Sequence, residues 1–121
     1  DFKYINYKKA LNLYSNNYNE NDYEFLKNLN LRLKNLNQVI IDNNINPIFI
    51  TQIKFDGISE KRLFLVNEEI KKFAKFNNYY IIPLDELIIE MQIGDFFDEY
   101  HTTISGSRKI AEKIYDHLKF E

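Results

Sequence analysis

The stretch DFFDEYHTTISG, residues 95–106, holds the side chains best suited to chemistry. His101 follows Asp98 by three positions and stands just before the opening of a helix. In a turn, residues three apart can project to the same side. The Asp98 carboxylate can then accept the Nδ1 proton of His101, fixing the tautomer and leaving Nε2 free as a base. The pair is useful only if a nucleophile lies near Nε2. Asp95, in the same loop, and Asp85, upstream, are the other carboxylates that could hold the ring. The same spacing also suits a solvated turn or a helix-capping histidine. Asp95, Asp98, Glu99 and His101 could be read as a cation site, but their spacing fits no established loop signature and Phe96-Phe97 interrupts it. Neither a metal nor a cofactor is expected.

The nucleophile is harder to find. The serines are Ser15, Ser59, Ser105 and Ser107. Ser105 and Ser107 belong to the first turn of the last helix, where capping is the simpler reading. Ser59 lacks the tight strand-to-helix elbow that exposes a nucleophile, and Ser15 lies in a polar loop with no strand before it.

The elements that must position these groups can be read from periodicity. A short helix is expected around Tyr4 to Leu13, within a weakly defined segment 1–22, followed by a polar loop ending in the capping residues Asn21-Asp22. Leu26, Leu29, Leu33, Leu36 and Ile40 recur at helical steps and predict a helix to about Asp42. Pro47 to Gln52 reads as a strand buried on both faces. Lys61 to Phe76 reads as a helix with Leu63, Val66, Ile70, Phe73 and Ala74 inward. Residues 79–84, YYIIPL, read as a second buried strand, and a short helix is expected around Asp85 to Met91. A last helix starts near Ile104, capped by Thr103, with Ile104, Ile110, Ala111, Ile114 and Leu118 on one face. Strands alternating with helices predict a parallel sheet. Two strands make a poor one, so further strands are expected upstream.

Composition bounds the function. A chain of 121 residues with 45% hydrophobic and 16% aromatic residues can build one modest core. The net charge is −2 and the basic residues are interleaved with acidic ones, which argues against a nucleic-acid footprint. No apolar run approaches a membrane span, and there is no cysteine. Composition assigns no compartment. The chain begins at Asp1 and its one methionine is Met91, from which either a removed N-terminal segment or a longer parent protein is expected.

As an ordered set, these features resemble the SGNH (GDSL-type) hydrolase family over residues 23–120, its carboxyl-terminal portion. The resemblance rests on a helix leading into PIFITQ and a second helix with Asn67 early in it. It continues through a strand ending near Asp85 and the block DFFDEYHTTISGSRKIAEKIYDHL, with Gly106 five residues after the histidine. Thr102 and Thr103 stand where the family often has proline and asparagine, and Thr103 can still cap the helix. The resemblance implies a flavodoxin-like, three-layer α/β fold with a parallel sheet, of which residues 1–121 form one partial domain. It also implies a serine esterase or acyl-transfer activity on a small-molecule or glycan-linked ester, with His101 as general base and Asp98 orienting it. The family's Gly-Asp-Ser block is absent here, so the nucleophile and oxyanion donors are expected upstream; the expected partner is that upstream part of the same protein, or a second copy through self-association at an exposed sheet edge. NEND, residues 19–22, imitates the family's oxyanion block, but capping is the simpler reading. The alternative is a non-catalytic α/β binding or assembly module. Tyr79-Tyr80 and Phe96-Phe97 read as packing residues, His117 as a solvated residue, and Lys71-Lys72 as exposed helix positions.

Overall fold

The computed structural model describes residues 3–119. In chain order they form α1 (Tyr7–Tyr14), α2 (Glu20–Asp42), β1 (Ile48–Ile50), α3 (Lys61–Phe76), β2 (Tyr80–Ile82), α4 (Leu84–Leu87), a 3-10 turn (Ile93–Asp95) and α5 (Ile104–Lys119). The strands are parallel, with Ile48 opposite Tyr80, Phe49 opposite Ile81 and Ile50 opposite Ile82.

This corrects the expected flavodoxin-like three-layer sheet. Among the described residues helix dominates, and the one sheet has two strands of three residues each. The physical reason lies in the sequence: only two short runs are β-branched and apolar, and each is bounded closely by proline, Pro47 before β1 and Pro83 after β2. β1 is also not buried on both faces. Ile48 and Ile50 are 56% and 40% exposed, whereas Phe49, pointing the other way, packs edge-on against Phe73 of α3 at 5.6 Å.

Helix starts follow local capping chemistry. Asn6 caps α1, its side chain accepting from the Lys9 N–H. NEND caps α2: the Asn19 side chain accepts from the Asp22 N–H at 3.0 Å and Asp22 returns the bond to the Asn19 N–H at 2.9 Å. The cap is thus Asn19, two residues before the expected Asn21-Asp22, and the helix begins at Glu20. Of the leucine stripe, Leu33 and Ile40 are buried, Leu26 and Leu29 half-buried and Leu36 exposed. In α5 only Ile110 and Ile114 of the expected apolar face pack inward; Ile104, Ala111 and Leu118 are exposed.

Two clusters form the core. Ile53, Leu84, Ile88, Met91 and Phe96 gather under the histidine loop, with Ile110 and Ile114 packed on them. Ala10, Ile58, Phe64 and Leu65 form the other, beneath α1, whose Tyr7 and Tyr14 lie against Phe64. The amino-terminal segment is therefore an integral part of the packing. It is also tied by backbone: Ile5 donates to Asp56 O at 2.9 Å and accepts from Ile58 N at 2.8 Å. That approach needs Gly57, at φ +80, because a Cβ there would lie 2.2 Å from the Ile5 carbonyl oxygen.

Candidate functional site

The loop carrying His101 is a closed structure. Phe96 and Thr102 form an isolated bridge, the Phe97 N–H donates to His101 O at 3.0 Å, and the Thr103 N–H donates to Asp95 O at 2.9 Å. A second strap ties it to the segment after β1, where the Phe55 N–H donates to Glu99 O at 3.0 Å. Gly106 lets α5 lie against this loop, since a Cβ there would sit 2.0 Å from the Asp95 carbonyl oxygen.

Within the loop, Asp98 wraps back on the residues that follow it. Its Oδ1 accepts from the Tyr100 N–H at 2.9 Å and the His101 N–H at 2.7 Å. Its Oδ2 lies 2.6 Å from His101 Nδ1. The His101 backbone N–H, followed by the Tyr100 N–H and the imidazole, holds the Asp98 carboxyl below the usual carboxylate range. The turn that presents the carboxylate and the bond that orients the ring are thus one local device. The His101 ring is stacked on Phe97, with centroids 5.7 Å apart and planes 14° from parallel. The His101 side chain is 71% exposed and that of Asp98 48%, so the pair adds little to stability. Its chemistry is that of an imidazole with Nδ1 engaged.

The other carboxylates face elsewhere. Asp95 turns inward, accepting from Gln92 N at 2.7 Å, Ser105 Oγ at 2.7 Å and Lys109 Nζ at 2.5 Å. Burial would raise its carboxyl, but Lys109, the Gln92 N–H and Ser105 outweigh that and hold it below the ordinary range. Asp85 is fully buried beyond β2, where its Oδ1 accepts from Thr51 Oγ1 at 2.7 Å and its Oδ2 from Lys71 Nζ at 2.8 Å.

Lys71 is not the exposed helix position expected from its neighbours. Its ammonium reaches Glu68, Asp85 and Glu86 at 2.7–2.8 Å and lies over the Tyr7 ring at 4.2 Å. Burial alone would lower the ammonium, but its bonds to Asp85, Glu68 and Glu86 raise it well above the ordinary lysine range. At the other end, burial raises the Asp85 carboxyl against its bonds to Lys71 and Thr51. Three carboxylates thus converge on one cation. This hub ties α1, α3, α4 and Thr51, the residue after β1, together and sits apart from the histidine loop. No sequence spacing signals it, because its members come from separate segments. His117 is likewise half-buried, its ring 6.0 Å from that of Tyr80.

Three serine hydroxyls are engaged away from the His101 ring. Ser59 Oγ donates to Asp56, Ser105 Oγ to Asp95, and Ser107 Oγ shares a 2.6 Å bond with Thr102 Oγ1. Ser15 is the C-cap of α1. Beside the pair opens a cleft of about 420 Å³, lined by Phe55, Ile93, Phe96, Phe97, Asp98 and Glu99. Phe96 and Phe97 therefore divide their roles: Phe96 is in the core, whereas Phe97 is 71% exposed and faces the cleft. Among the described residues no group of three or more histidine, aspartate or glutamate side chains is placed to hold a metal ion, and no helix is long and apolar enough to cross a membrane.

No family model matches the chain, and no match is found among curated proteins or among solved structures.

Proposed function

We propose that this chain supplies the Asp98–His101 pair of a serine-type acyl-ester hydrolase resembling the SGNH family. The hydroxyl nucleophile and oxyanion donors come from polypeptide outside these residues. The observation that carries the reading is the 2.6 Å contact between Asp98 Oδ2 and His101 Nδ1 in a loop closed on both sides. With Nδ1 committed, Nε2 is the free basic nitrogen. It takes the proton of the incoming hydroxyl as the oxygen–carbonyl carbon bond forms. When the tetrahedral intermediate collapses, the ester C–O bond breaks and the departing alkoxide takes that proton from Nε2. Water then repeats the sequence on the acyl-enzyme, releasing the acid and restoring the hydroxyl. Asp98 stays ionised throughout and steadies the imidazolium. The substrate class is a small-molecule or glycan-linked ester.

The capping box explains why NEND is not a donor of the oxyanion hole, since Asn19 and Asp22 are spent on the start of α2. On this reading the upstream part of the same protein, or a second copy, meets this chain at β1, which pairs with β2 alone among the described residues and has an exposed face carrying Ile48 and Ile50. The competing reading, a non-catalytic binding or assembly module, draws on the hydroxyls being bonded away from His101. Turnover of a short-chain aryl ester by the protein carrying this chain with its nucleophile separates the two. His101→Ala should abolish turnover, and unchanged turnover removes His101 from the mechanism.

A further inference from the structure

The cleft beside the pair has a chemistry of its own. Its walls are Phe55, Ile93, Phe96 and Phe97, and its charged residues are Asp98 and Glu99, both acidic. Its volume of about 420 Å³ falls within the range of small-molecule sites, roughly 300–1,000 Å³. Ile93 and Phe97 are 72% and 71% exposed, apolar surface left in water at a cost. Phe97 has a second contact, the parallel stack on the His101 ring. One aromatic side chain thus separates an apolar cleft from the imidazole, and Asp98 belongs to both.

We propose that this cleft is the acyl site, taking the neutral aliphatic chain of an ester, with Phe97 as the residue that both seats the chain and supports the imidazole. The inference rests on the hydrolase reading and specifies its substrate. The acidic rim decides the charge of the occupant. A neutral ester packs on the apolar walls and carries no charge for Asp98 and Glu99 to repel, whereas a free carboxylate meets both like charges and is disfavoured. Substrate is thereby favoured over the acid product without any cation in the site.

The test is titration of the full chain, isotopically labelled, with methyl butanoate, methyl hexanoate and methyl octanoate, and in parallel with the corresponding sodium carboxylates, followed by NMR. Affinity for the esters should rise about fourfold per methylene until the cleft is filled. Shifts should centre on Phe55, Ile93 and Phe97, and the carboxylates should bind roughly five- to tenfold more weakly. Phe97→Ala and Ile93→Ser, both at exposed positions, should each flatten the dependence on chain length. The proposal is overturned by affinity independent of chain length, by carboxylates binding as well as esters, or by shifts gathered instead on Ile104 and Tyr115 of α5. It is also overturned if both variants keep the length dependence. Failure of the hydrolase reading shows elsewhere, as unchanged turnover in His101→Ala whatever the titration finds.

Discussion

Replacing Asn67 with alanine should destabilise the chain by about 2 kcal/mol. Asn67 lies in α3, is 1% exposed, and uses both ends of its amide on one residue beyond β1. Its Oδ1 accepts from the Gln52 N–H at 3.1 Å and its Nδ2 donates to the Gln52 C=O at 2.8 Å. Each bond contributes about 0.5–1.5 kcal/mol net. Gln52 is exposed, so water can re-engage its backbone, and the full cost of two orphaned groups is not incurred. The vacated side-chain volume adds to the loss, giving about 1–3 kcal/mol. At roughly 2.1 cal/mol/K of unfolding entropy per residue, 121 residues convert 2 kcal/mol into a fall in Tm of about 8 °C. Urea unfolding should show the lower midpoint with an unchanged slope. Asn67→Asp should be no milder, because its second oxygen would face the Gln52 carbonyl with no proton between them. A loss below about 0.5 kcal/mol, the range of an ordinary surface substitution, would refute the amide bridge.

Two further outcomes follow from the same structure. Asp95 has its carboxyl lowered by Lys109, the Gln92 N–H and Ser105, so the stability it contributes is present above the unfolded value near 4 and is lost as pH falls through the folded value. The gap in urea midpoint between the chain and Asp95→Asn should be widest at neutral pH and close below about pH 4; a gap constant with pH would contradict this. β1 pairs with β2 alone among the described residues and carries Ile48 and Ile50 on an exposed face, so the isolated chain should associate through it as concentration rises. Ile50→Lys should weaken that association by about tenfold, whereas a clean monomer in sedimentation at high concentration would remove the edge as a meeting surface.

What could be read from the sequence was local. The leucine spacing predicts α2, and DEYH predicts its own geometry because Asp98 needs only to fold back over three residues to reach His101. Longer-range features could not be read. Burial of Lys71 depends on carboxylates from α3 and α4, and Asp95 is claimed by a lysine fourteen residues on. The doublet Phe96-Phe97 looks uniform in sequence, yet the bridge between Phe96 and Thr102 turns one ring inward and the other out. The sheet was overestimated for a related reason. A short apolar run with β-branched residues predicts a strand but not how many neighbours will flank it. Here two three-residue strands pair and Ile48 and Ile50 stay exposed. The ordered resemblance carried the expectation of a three-layer sheet further than these residues support.

His101 can serve as the base only if Nε2 is the free nitrogen. Ring-nitrogen NMR of the chain, labelled at histidine and held at a pH where the imidazole is neutral, reports this directly. Nδ1 should carry the proton and Nε2 the lone pair, and Asp98→Asn should shift the ring toward a mixture of tautomers. A proton resident on Nε2 in the unaltered chain would mean that His101 presents no base to an incoming hydroxyl, and the hydrolase reading would fail.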